Sequence, residues 1–309
     1  MQHLKDRVVI VTGAGGGLGR EHALLFAREG AKVVVNDLGG ASAVVDEIRA
    51  SGGEAVANTD SVADWAGAER IVRTAVEEFG DLHALVNNAG ILRDRMLVSM
   101  TESDWDSVIT VHLKGTFACT RHAAGYWRQK AKETGGPVEA AIVCTSSGSG
   151  LLNGVAQSNY GAAKAGIAAF AQIAAKELSR YGVRVNTIAP VARTPMTAPT
   201  EEFAEMFRPP ADADAFDVFD AANVSPLVVY LASTLCPYTG GVWQVMGGEV
   251  GLFEGWQVVA SLQRESRWSV EELRKEIAGL VGARASAEGK LLSEAKPFAG
   301  WEATLREPR

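Results

Sequence analysis

The chain has 309 residues, 47% of them hydrophobic and 22% charged. That balance fits a soluble globular protein built as one large domain or as a domain with an appendage. Its net charge of −7 argues against a general nucleic-acid or anionic-membrane binder. No apolar run approaches the ~18 residues of a membrane helix.

In chain order, Val8–Val11 is an apolar run that predicts a buried strand. Glu21 to Glu29 carries apolar residues at helical spacing and stops at Gly30. Lys32–Val35 predicts a second strand, Val44 to Arg49 a helix, and Ala55–Asn58 a third strand. Ala68 to Phe79 predicts a helix ended by Gly80, and Ala84–Val86 a strand running into Asn87-Asn88-Ala89-Gly90. Glu102 to Lys132 is expected to be mostly helical, with Gly135-Gly136-Pro137 ending it. Ala140–Thr145 predicts a strand, Gln157 to Tyr181 an Ala-rich helix, Val183–Ile188 a strand and Gly241–Val245 the last strand. Alternating strands and helices of this kind imply right-handed βαβ units, hence an α/β fold with a doubly wound parallel sheet and helices on both faces.

Two regions break that rhythm. Residues 193–225, bracketed by Pro195, Pro199, Pro209, Pro210 and Pro226, predict a loop with short helices, suited to a substrate lid. Beyond residue 250 the pattern becomes polar and small, with Ser269-Val270-Glu271-Glu272 as a capping box for a helix to about Leu280. The expected organisation is a domain over 1–250 and a C-terminal extension over 251–309, too short for a core of its own.

The N-terminus leads straight into a strand, so no secretory leader is expected. Cys119, Cys144 and Cys236 are odd in number and widely spaced, which predicts no disulfide framework and a reducing, cytoplasmic setting. The five His form no metal-ligand motif, so no metal site is expected.

Three constellations carry chemistry. The turn Thr12-Gly13-Ala14-Gly15-Gly16-Gly17-Leu18-Gly19 lies between a strand and a helix, the context in which glycines let a pyrophosphate approach a helix N-terminus. Asp37 ends the second strand, where a carboxylate accepts from the adenosine ribose hydroxyls and repels a 2′-phosphate. No basic residue stands at Gly15 or Gly16, so NAD is expected over NADP. Asp60 and Ser61 follow the third strand at the ligand-binding edge of the sheet, where Asp60 could meet the adenine amino group or simply form a turn. In Tyr160-Gly161-Ala162-Ala163-Lys164 a phenol and an ammonium share one helical face. The cation favours the phenolate and makes the Tyr a candidate general acid/base. Ser147 lies thirteen residues before it; Ser146 and Ser149 are its neighbours in type.

Together, Thr12-Gly13-x-x-x-Gly17-x-Gly19, Asn87-Asn88-Ala89-Gly90, Ser147 and Tyr160-x-x-x-Lys164 resemble the short-chain dehydrogenase/reductase family over about residues 5–250. Val33 to Gly40, Asn88 to Arg95, Val111-His112-Leu113-Lys114-Gly115 and Ile188-Ala189-Pro190 resemble its (3R)-hydroxyacyl-CoA dehydrogenase group, the part found in peroxisomal multifunctional enzyme type 2 (17β-hydroxysteroid dehydrogenase type 4) and in bacterial stand-alone relatives. The resemblance implies a Rossmann fold and a homodimer or homotetramer. It implies Tyr160 as acid/base, Ser147 holding the substrate oxygen, and Lys164 on the nicotinamide ribose. His112 stands where most relatives have an Asn that supports a proton-relay water, and a ring nitrogen can also hold a water. Gly13, Gly16, Gly17, Leu18, Gly19, Asp37, Asp60, Ser61, Asn88, Ala89, Gly90, Pro190 and Thr194, with Tyr160 and Lys164, would hold the cofactor. The expected reaction is NAD-dependent oxidation of a secondary alcohol to a ketone on an acyl-CoA or steroid-like substrate, with Arg93, Arg95, Arg193 and Arg208 as candidates for CoA phosphates. The rivals are a free-steroid 17β-hydroxysteroid dehydrogenase, a ketoacyl carrier-protein reductase, and a non-catalytic dinucleotide sensor.

Overall fold

The continuous apolar runs of the sequence become strands buried on both faces. The computed structural model describes residues 4–194, 207–212, 214–255 and 261–277, with single residues at 196, 205, 258 and 279. Seven strands run parallel: β1 (Val8–Thr12), β2 (Lys32–Asn36), β3 (Glu54–Asn58), β4 (Ala84–Asn87), β5 (Ala140–Thr145), β6 (Val183–Pro190) and β7 (Val242–Met246). An eighth, β8 (Glu249–Leu252), pairs antiparallel with β7. Their order is β3-β2-β1-β4-β5-β6-β7-β8. The order reverses between β1 and β4, so the carboxyl ends of those strands open the crevice in which such sheets bind ligands.

The helices are α1 (Gly17–Arg28), α2 (Ala41–Ala50), α3 (Trp65–Phe79), α4 (Glu102–Ile109), α5 (Gly115–Thr134), the short α6 (Gly148–Leu151), α7 (Ser158–Leu178) and α8 (Ser225–Ala232). Strand residues alternate between two cores. Val9, Val11, Val33 and Val35 pack with Phe26 of α1, Ile48 of α2 and Val228 of α8. Val8, Ile10, Val34 and Ile142 pack with Ile71 of α3, Trp127 of α5 and Ile167 of α7. Trp127 is fully buried and its indole N–H donates to Leu82 O at 2.7 Å, so its one polar atom is satisfied.

The doubly wound sheet is as expected, and four details are corrected. The strand at Val242–Met246 is not the last: Gly247 (φ +53°) reverses the chain after β7 and lets β8 fold back as an antiparallel edge strand. α1 begins at Gly17, four residues before Glu21. α8 stands just past the irregular stretch, and Pro226, expected as a loop bracket, sits in the first turn of that helix where its missing N–H costs nothing. The helical stretch from Glu102 is interrupted: a π-type segment, Thr110–Lys114, separates α4 from α5. Such π-turns concentrate at functional sites, and this one carries His112.

The chain divides into two compact units, residues 1–253 and 254–309. In the second, Ser269 and Glu272 cap each other reciprocally, with Ser269 N–H donating to Glu272 at 2.8 Å and Glu272 N–H to Ser269 Oγ at 3.3 Å. The helix they start is described over 270–277. Its expected end at Leu280, most of the remaining extension, and positions 195, 197–204, 206 and 213 of the expected lid lie outside the described residues.

Candidate active site

The glycine turn is shaped by contacts that allow no side chain. Gly13 has φ +64°, and a Cβ on Gly19 would stand 2.1 Å from Gly13 O. α1 therefore begins hard against the end of β1. Gly16, its N-cap, has open space where a Cβ would be, and no side chain caps the helix. Leu18 packs inward against the core. The result is a helix N-terminus with N–H groups and partial positive charge facing a cradle, which fits an anionic pyrophosphate.

Asp37 lies beside this turn. Its Oδ2 accepts from Gly15 N–H at 2.9 Å and its Oδ1 from Gly39 N–H at 3.0 Å. Each oxygen keeps a further lone pair for a hydroxyl donor. Asp60 is more heavily engaged: Oδ1 pairs with Arg70 at 2.7 Å and Oδ2 accepts from Asn58 Nδ2 at 3.0 Å. Ser61 Oγ accepts from Ala63 N–H at 3.2 Å, the bond of a local turn. Asn88 Nδ2 donates to Thr12 O and Gly13 O, both at 3.1 Å, and Ala89 N–H donates to Thr12 Oγ1 at 3.1 Å. Asn88 and Ala89 thus stitch β4 to the turn. Pro190 ends β6, and Thr194 lies four residues on, at the edge of the described segment.

The catalytic candidates come from the carboxyl edge of β5 and the first turns of α7. Ser147 follows β5 and its hydroxyl caps α6, accepting from Ser149 N–H at 3.2 Å. Ser146, the neighbour in type, is buried and donates to Lys164 O at 2.7 Å, so it serves the helix rather than the site. Tyr160 lies in α7, with its neighbour Asn159 buried and donating to Arg93 O at 3.0 Å and Asp104 O at 3.1 Å. Lys164 is 3% exposed, its Nζ 2.6 Å from Thr145 O and 5.5 Å from the Tyr160 ring centroid.

Burial dominates both groups. It pushes the phenol up to about 12, with hydrogen bonding to Ser147 pulling it back and the charge of Asp94 pushing further. Burial also lowers Lys164 to about 7. Desolvation thus disfavours charge both on the phenol and on the ammonium beside it.

His112 packs edge-on to Tyr160, with ring centroids 5.2 Å apart at 89°. Its Nε2 lies 2.9 Å from Ile91 N and 2.7 Å from Ile91 O. Gly90 makes room for the ring, since a Cβ there would stand 2.3 Å from His112 Cε1. Burial and then the charge of Lys164 push the imidazole down to about 3, so it is neutral. Its Nδ1 is buried without a partner among the described residues, leaving one ring nitrogen to engage a water.

The structure brings together Ser147, Tyr160, Lys164 and His112, and separately the turn, Asp37, Asn88 and Ala89. The candidate CoA arginines are placed differently. Arg193 pairs with Asp217 and donates to Phe207 O at 2.8 Å, and Arg208 pairs with Glu205. Arg93 and Arg95 are exposed, and their guanidinium groups donate to the carbonyls of Leu92 at 2.7 Å and Asp94 at 3.2 Å. Sequence reasoning gave no role to Asp94, which lies in the run Asn88 to Arg95, or to Gln157, whose Nε2 donates to Asp94 Oδ2 at 2.8 Å. Gln157 is the N-cap residue of α7, three residues before Tyr160.

A Ser–Tyr–Lys cluster thus stands at the carboxyl edge of a doubly wound sheet that also carries the glycine turn. A short chain dehydrogenase family model matches residues 7–205, and the chain belongs to that family. It is 47% identical over 258 residues to hydroxyacyl-CoA dehydrogenase ChsB1 of Mycobacterium tuberculosis, covering 81% of this chain and 80% of that protein. It is 40% identical over 272 residues to peroxisomal multifunctional enzyme type 2 of Mus musculus, covering 84% of this chain but 34% of that longer protein. A crystal structure of a short chain dehydrogenase from Mycobacterium avium superposes with a TM-score of 0.81 at 49% identity, over 90% of this chain and 95% of that one.

Proposed function

We propose that this oxidoreductase is an NAD-dependent dehydrogenase that converts a (3R)-hydroxyacyl-CoA to the 3-oxoacyl-CoA. The observation that carries the chemistry is the clustering of Ser147, Tyr160 and Lys164 at the carboxyl edge of β5 and the start of α7. The substrate class is supported by similarity to proteins named hydroxyacyl-CoA dehydrogenase and peroxisomal multifunctional enzyme type 2.

The residues fit a dinucleotide. The uncapped N-terminus of α1 would take the pyrophosphate, Asp37 the adenosine ribose, and Lys164 the nicotinamide ribose. NAD bound there would supply the hydride acceptor. Ser147 orients the substrate hydroxyl by hydrogen bonding, and Tyr160 as phenolate takes its proton. Lys164 contributes positive charge beside the phenol, and His112 Nδ1 offers a hydrogen-bonding nitrogen to a water on the path by which that proton leaves.

Cofactor choice gives a direct test. Asp37→Asn keeps an acceptor for the Gly15 N–H but removes the charge that repels a 2′-phosphate. The ratio of kcat/KM for NAD over NADP is expected to fall about tenfold to a hundredfold. An unchanged ratio would remove Asp37 as the discriminating residue. The assembly, proposed as a homodimer or homotetramer, is read by light scattering.

A further inference from the structure

The carboxyl ends of β2 and β3 carry a buried amide network that the catalytic reading leaves unused. Asn58 ends β3 and lies opposite Asn36, the last residue of β2. Both are buried. The Asn58 side chain makes all the hydrogen bonds that an amide can form. Its Oδ1 accepts from Asn36 Nδ2 at 2.9 Å and from Asp60 N–H at 3.0 Å. Its Nδ2 donates to Asp60 Oδ2 at 3.0 Å and to Thr74 Oγ1 at 2.9 Å. These bonds close into a ring, because Thr74 Oγ1 donates to Arg70 O at 2.9 Å and Arg70 Nε donates to Asp60 Oδ1 at 2.7 Å. Asn36 Nδ2 also donates to Asp60 O at 2.9 Å. Asp60 is thus held at its N–H, its carbonyl and both carboxylate oxygens. The same residue steadies Asp37, whose N–H donates to Asn58 O at 3.1 Å. A buried amide with every bond made is a rigid anchor.

We propose that Asn58 is a positioning residue that fixes the Asp60 carboxylate as an acceptor for the 6-amino group of adenine, and so makes the dinucleotide site selective for its base. The inference rests on the site taking NAD. Asp60 stands with Asp37 at the carboxyl edge of the sheet, where such folds bind their ligands, and its side chain is 23% exposed. A carboxylate only accepts, and each of its oxygens keeps a lone pair beyond its bond to Arg70 or Asn58. Held in one orientation, it matches an amino group. It opposes the 6-carbonyl of hypoxanthine, which brings a second acceptor and no proton. Free to turn, the same carboxylate would swing away from that carbonyl, and the distinction would shrink. Arg70 cannot supply the rigidity, since its side chain is 43% exposed. Asn58 is the buried anchor of the pair.

The test measures calorimetric Kd values of the full-length protein for NADH and for deamino-NADH, which carries hypoxanthine in place of adenine. Wild type is expected to bind NADH about tenfold to a hundredfold more tightly than deamino-NADH. Asp60→Ala is expected to bring the two values together. Asn58→Ala leaves the carboxylate in place and is expected to lower the ratio about tenfold. Thr74→Val keeps the volume, removes one link of the ring and is expected to lower the ratio in the same direction, which serves if Asn58→Ala does not fold. A general loss of stability weakens both affinities and leaves their ratio unchanged. A wild-type ratio in the folded Asn58 and Thr74 variants, with equal values in Asp60→Ala, would overturn the proposal and leave Asp60 as the base contact. Equal values in wild type, or a preference that survives in Asp60→Ala, would overturn both the contact and the proposal. No binding of NADH to wild type would instead overturn the cofactor reading on which the proposal rests.

Discussion

Tyr160→Phe is expected to lower kcat about a thousandfold while leaving NADH affinity within a few-fold of wild type. The substitution removes one oxygen. The ring would still pack edge-on to His112 and within reach of Lys164. What is lost is the proposed acceptor of the alcohol proton, and general acid–base catalysis of this kind contributes about 10²- to 10⁴-fold. Single-turnover kinetics beside NADH fluorescence titration separate the two effects. Near-normal turnover would assign the proton transfer to another group.

Lys164→Met is expected to reduce turnover about a hundredfold and, at the same time, to stabilise the cofactor-free protein at neutral pH. Lys164 is buried, and that burial moves it from the ordinary 10.5 down to about 7. Between those values the unfolded chain binds a proton that the folded chain does not, so stability rises with pH across that window and is lost as pH falls from about 10.5 to about 7. Below about 7 the ammonium sits in a desolvated site, with one bond to Thr145 O. Methionine fills similar volume and carries no charge. Denaturant midpoints measured from pH 6 to pH 10 should show a higher midpoint at neutral pH and a flattened slope for the variant. A wild-type slope in Lys164→Met would mean that another group titrates there. The cost of such a lysine fits the role proposed for its charge, beside the phenol and on a bound ribose.

Much of this site was legible because backbone constraints write themselves into residue type. Gly13 and Gly19 had to be glycine: one needs a left-handed φ, and the other faces a carbonyl oxygen where a Cβ would sit. Asp37 was found because a strand end fixes its distance from the turn, and Tyr160 with Lys164 because helical spacing aligns them. Features set by tertiary contact left weaker traces. The π segment at Thr110–Lys114 has no signature of its own in a long helical stretch. β8 is four residues long and mostly exposed, so it leaves little apolar pattern. Asp94 belonged to a quoted run, yet nothing in its neighbours said that Gln157, 63 residues later, would hold it. The phenol's surroundings were only partly legible for a related reason: spacing shows that Lys164 is near, but only burial shows that desolvation opposes charge on both groups.

The substrate is the central claim, and steady-state NAD reduction tests it most directly. Purified protein would be assayed with (3R)- and (3S)-hydroxyacyl-CoAs of short, medium, long and steroid-derived acyl groups, and with free steroid alcohols. The predicted result is NADH formation from at least one (3R)-hydroxyacyl-CoA, with a kcat/KM well above that of its (3S) form and of every free steroid. NADH formed from a free steroid alcohol, with none from any hydroxyacyl-CoA, would contradict it.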